Sequence, residues 1–67
     1  MKEKINVEIH FLEKEYSVKV FDLAGNPIEK LHSFGLKNQN VANAYVERLK
    51  INYIIENIQN KRPGQEN

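Results

Sequence analysis

Apolar and polar residues alternate strictly over Ile5-Asn6-Val7-Glu8-Ile9-His10-Phe11, apolar at odd positions and polar at even ones. A period of two marks a strand with one face in a core and the other in water. The pattern predicts a strand over about residues 5–12, with Ile5, Val7, Ile9 and Phe11 inward. After the charged turn Glu13-Lys14-Glu15, short enough to join antiparallel neighbours, a second strand is predicted over about 16–22. It turns Tyr16, Val18 and Val20 inward and leaves Ser17, Lys19 and Phe21 outside. Gly25 and Asn26 accept positive φ and Pro27 cannot sit in a central strand, so the segment from Asp22 to Pro27 reads as a turn. A third strand is expected over about 28–34. There Ile28 and Phe34 share parity with Lys30 and His32 while Leu31 does not, and a bulge near Lys30 or Leu31 would reconcile them.

The period changes after Gly35. Val41, Ala42, Tyr45, Val46, Leu49 and Tyr53 recur mostly at intervals of three and four, one stripe of a helix facing the core. The helix is predicted over about 39–61, with Asn38 or Asn40 as N-cap, Lys61 and Arg62 at its negative end and Pro63-Gly64 as its stop. Residues 63–67 read as a disordered tail. The predicted fold is α+β: a three-stranded antiparallel meander followed by one long C-terminal helix (βββα), in a single domain over residues 1–62.

Ala44, Ile51, Ile54, Ile55 and Ile58 fall on a second stripe of that helix, roughly opposite the first. A helix of about 23 residues is on the order of 35 Å long, whereas strands of about seven residues span roughly 23 Å. Its isoleucine-rich last turns would overhang the sheet. An apolar patch of that kind marks an interface, and its spacing approximates a heptad seam with Glu47 in the polar slot. Burying an isoleucine contributes roughly 1.5–3 kcal/mol, so a twofold seam could offset an association cost of about 4–15 kcal/mol. The expectation is a homodimer through the C-terminal helix.

Composition narrows the functional classes. Sixty-seven residues without cysteine make one small domain with neither disulfides nor thiolate zinc sites. A core of this size supplies about 3–5 kcal/mol unaided, which again favours oligomerisation. Ten Lys and Arg against nine Asp and Glu, interspersed, describe a solvated surface rather than a nucleic-acid footprint. The absence of a long apolar run points to a cytoplasmic protein with no membrane partner. Eight Lys, nine Asn and seven Ile fit an AT-rich coding sequence of a low-GC bacterium, phage or mobile element.

Catalytic machinery is not evident. His10 and His32 are the two histidines, but a meander places strand two between them, so neither they nor Glu8 and Glu29 form a metal site. Gly25, Gly35 and Gly64 stand too far apart for a phosphate loop, and neither Ser17 nor Ser33 occupies a nucleophile elbow. No cofactor, metal or catalytic residue is assigned. The outer sheet face, with His10, Lys19, Phe21 and Leu31, is the candidate partner surface.

The stretch Tyr16-Ser-Val-Lys-Val-Phe-Asp, the Gly25-Asn26 turn, Ser33-Phe34, and Ala42, Ala44, Tyr45 and Leu49 together resemble three-stranded-sheet-plus-helix DNA-binding domains. These are the AP2 type and the amino-terminal arm-binding domain of tyrosine integrases. The likeness covers about half the chain at the level of fold. It implies a sheet face that reads the major groove, with Lys19, Lys30 and Phe21 near the reading positions. The leading expectation is a small non-enzymatic homodimeric protein that regulates or inhibits a macromolecular partner, a protein first. DNA binding by the sheet face is the alternative.

Overall fold

The computed structural model describes residues 1–61. Four strands and one helix follow in the order β1 (Glu3–Leu12), β2 (Glu15–Phe21), β3 (Ser33–Leu36), α1 (Gln39–Asn52) and β4 (Tyr53–Lys61). The strands form one mixed sheet in the spatial order β3-β2-β1-β4. β1 and β2 pair antiparallel, with Val7 opposite Val20 and Ile9 opposite Val18. They are joined by Glu13 and Lys14, both at positive φ, the backbone that a two-residue hairpin loop requires to match strand twist. β4 returns parallel to β1 on its other side.

The alternation in β1 and β2 places the core as expected except at Phe11, which is only half-buried and stacks on Tyr16 with ring centroids 4.5 Å apart. Ile5, Val7, Ile9, Val18 and Val20 are buried and meet Ala42, Val46 and Leu49 of α1. Tyr16 and Tyr45 pack partly against this cluster, whereas Val41 is exposed. Asn38 caps the helix: its side chain accepts the Val41 N–H at 3.0 Å, satisfying one of the orphan donors of the first turn. The Tyr45 hydroxyl donates to the Leu31 carbonyl, tying the helix to the segment before β3.

The βββα fold with a long C-terminal helix is corrected here. The helix ends at Asn52, and residues 53–61, expected as its last turns, are a fourth strand. Fourteen residues extend about 21 Å, against roughly 14 Å from edge to edge of four strands, and the short helix touches all four strands. The N–H of Tyr53 closes the helix on Leu49 O with the residue already extended, at φ −136° and ψ 158°. Tyr53, Ile54 and Ile55 are aromatic and β-branched residues that suit a strand, and Ile55 lies opposite buried Ile5. Pairing also satisfies the second edge of β1, which a continued helix would leave open. The order βββαβ departs at this point from the DNA-binding domains that the sequence resembles.

The third strand is also displaced. Glu29–Leu31 form a 3-10 turn, and the strand occupies Ser33–Leu36 instead of 28–34. The irregularity falls later than Lys30 or Leu31. Ser33 pairs with Val18 and Leu36 with Tyr16, a register shift that spans Phe34 and Gly35, and Gly35 sits at φ +70°. Before it, Asp22 organises the turn. Its Oδ1 accepts the Asn26 N–H at 2.8 Å and its carbonyl the Gly25 N–H at 3.0 Å. The expected tail over 63–67 lies outside the described residues.

Candidate interaction surface on the open sheet face

The helix covers one face of the sheet, and the described residues leave the other uncovered. Period two decides what is there: Asn6 opposite Phe21, Glu8 opposite Lys19, and His10 opposite Ser17. On the far side, Asn57, Gln59 and Lys61 of β4 stand opposite Asn6, Glu8 and His10. None of these side chains is buried.

Two parts of the face differ in chemistry. Toward β4 it is polar and internally neutralised, apart from Ile54 opposite Lys4. His10 Nε2 donates to Glu8 Oε1 at 2.9 Å, and Lys61 Nζ stands 3.9 Å from the other oxygen of the same carboxylate. Lys4 meets Glu56 at 3.7 Å, and the Asn57 amide donates to Asn6 Oδ1 at 3.4 Å. Pairs that keep contact with solvent, as these half-buried and exposed ones do, contribute about 0–1 kcal/mol, so they shape the potential more than the stability. Asn6, Glu8, Phe21, Asn57 and Gln59 border a shallow depression of about 210 Å³, smaller than the roughly 300 Å³ at the low end for small-molecule sites.

Toward β3 the face is aromatic. Phe21, His32 and Phe34 form a row, each ring centroid 5.9 Å from the next and the planes inclined, the arrangement that ring quadrupoles favour. His32 is fixed by its Nε2–H, which donates to the Val20 carbonyl at 3.1 Å. Phe34 is 63% exposed. Sequence reasoning found Phe21 but missed His32 and Phe34 as its partners, because the mixed parity of residues 28–34 did not fix which face the two rings take. The exposed aromatic itself was the available signal.

The remaining predicted residues separate. Lys19 and His10 lie on the open face, but Leu31 packs against the core from the 3-10 turn. The isoleucine stripe is dissolved by the end of the helix. Ala44 and Ile51 remain on the exposed side of α1, Ile54 stands on the open face opposite Lys4, Ile55 packs against the core, and Ile58 lies opposite Val7. Among the described residues no group of three or more His, Cys, Asp or Glu could hold a metal ion, and no helix is long and apolar enough to cross a membrane. Comparisons with protein-family models, curated proteins and solved structures find no match to this chain.

Proposed function

We propose that the chain is a non-enzymatic binding protein that docks, and thereby regulates, a protein partner on the open face of its sheet. The row Phe21-His32-Phe34 carries this reading. It offers aromatic area at the surface, beside amides and neutralised charges that can form a polar rim. Duplex DNA is the less favoured occupant. Phosphate neutralisation dominates DNA affinity, yet Lys4 and Lys61 on this face already meet Glu56 and Glu8, and Arg48 lies on the helix instead.

The reading is tested with immobilised chain and lysates of low-GC bacteria, followed by affinity measurement on the captured protein. Phe34→Ala is expected to weaken binding at least tenfold, about 1.4 kcal/mol, with an unchanged circular dichroism spectrum. Retained affinity in Phe34→Ala and in Lys19→Glu would remove the open face as the docking surface. An anisotropy titration showing duplex DNA binding that weakens steeply with salt would replace the protein partner with DNA.

A further inference from the structure

The two edges of the sheet are built differently. β3 offers four residues, Ser33–Leu36, with Gly35 among them, whereas β4 offers nine, Tyr53–Lys61. The outward N–H and C=O groups of a long edge strand form a template for another strand. We propose that β4 pairs antiparallel with β4 of a second copy of this chain, about a twofold axis perpendicular to the sheet, and joins two four-stranded sheets into one.

The side chains of β4 select the partner. Ile55 and Ile58 stand opposite Ile5 and Val7 and share the helix side of the sheet. Ile54 and Gln59 stand opposite Lys4 and Glu8 and share the open side. Glu56 is the extra residue of the register shift between Ile5 and Asn6. Its carboxylate meets Lys4, and the neighbouring Asn57 meets Asn6, so two successive residues reach open-face partners.

That doubling governs self-pairing. Directly opposed residues of an antiparallel pair project to the same face, so a regular strand can meet its own copy only with some residue opposite itself. In β4 that register fails. With Glu56 on the axis two carboxylates confront each other, and Ile55 falls opposite open-face Asn57. With Asn57 on the axis, Glu56 falls opposite Ile58 of the helix side.

Shifted by one, every position from Tyr53 to Asn60 agrees, and Lys61 lies beyond the paired stretch. Ile55 stands opposite Ile58 of the second copy, Glu56 opposite Asn57, Ile54 opposite Gln59 and Tyr53 opposite Asn60. No like charges are opposed. The Ile55–Ile58 pair occurs twice, covering Ile58, which is 44% exposed in the single chain. An irregular residue on an edge can also serve to block pairing. Blocking and matching give opposite results in solution.

The native chain is examined by light scattering, and single-cysteine variants by oxidation, with no native cysteine to interfere. The expected mass is twice the 7.9 kDa chain, and Ile58→Lys returns it to one chain with its circular dichroism retained. Opposed Cβ atoms about 4.5–5.5 Å apart are near disulfide reach. A mixture of Ile54→Cys with Gln59→Cys is therefore expected to cross-link at least tenfold more than either variant alone. The mixture reads the register even if Ile58→Lys fails to fold. A native chain that remains monomeric up to about 1 mM, the weak end of specific association, overturns the proposal. So does a dimer in which the mixture cross-links no better than the separate variants.

Discussion

The two faces of the sheet are drawn from alternate residues of the same strands, yet they do different work. Toward α1, every strand residue that is buried is Ile or Val, and helix residues Ala42, Val46 and Leu49 complete the cluster. Toward solvent, neighbouring positions carry Asn6, Glu8, His10, Lys19 and Phe21, none of them buried. The contrast teaches that one covered face provides the core of a chain this small. The uncovered face can then carry aromatic and charged groups whose replacement costs the fold little, which is the latitude a binding surface needs.

The sharpest way to break that contrast is to empty the covered face. Leu49 is 6% exposed and closes the end of the core where the helix gives way to β4. Leu49→Ala is expected to cost about 2–4 kcal/mol through lost transfer energy and residual cavity. A core of this size supplies only about 3–5 kcal/mol, so the variant should be substantially unfolded at 37 °C. A urea titration followed by circular dichroism reads the change. A loss below about 1 kcal/mol would mean that the helix is not what covers this face.

The covered face was the more legible of the two in the sequence, for a physical reason. β1 and β2 are regular, so Ile5, Val7, Ile9, Val18 and Val20 announce themselves through strict alternation. The errors lie where alternation breaks. Between Leu36 and Lys61 the chain has neither glycine nor proline, so nothing local stops the helix at Asn52. Tyr53 simply becomes extended, and no residue intervenes between α1 and β4.

Within β4, the extra Glu56 puts Ile55 and Ile58 on one face at a spacing of three, a helical interval produced by a strand. Together with Ala44, Ile51 and Ile54 it imitates a second helical stripe. Ahead of β3, the opposite parities of Ile28 and Leu31 left open which face His32 and Phe34 take, and with it the aromatic row. The pattern Tyr53-Ile54-Ile55, aromatic and β-branched, was the one signal for the strand, and only pairing with β1 resolves it.

A second variant sharpens the comparison at the place where the sequence misled. Ile55 packs against the core beside Ile5, so Ile55→Ala in the dilute chain is expected to lose about 1–2 kcal/mol, less than a fully buried site because its burial is partial. The same urea titration measures it.

The smallest effect belongs to its neighbour. Ile54 is 44% exposed on the open face, opposite Lys4, and Ile54→Ala should change stability by no more than about 0.5 kcal/mol. The pair is informative because the two isoleucines are adjacent. On a continuous helix they would lie about 100° apart on one apolar stripe, and truncating either would have a similar effect. On a strand they project to opposite faces, and only one of them reaches the core. Equal losses at 54 and 55 would restore the helix. A loss confined to Ile55 assigns the segment to the sheet, and with it the edge from which self-pairing is argued.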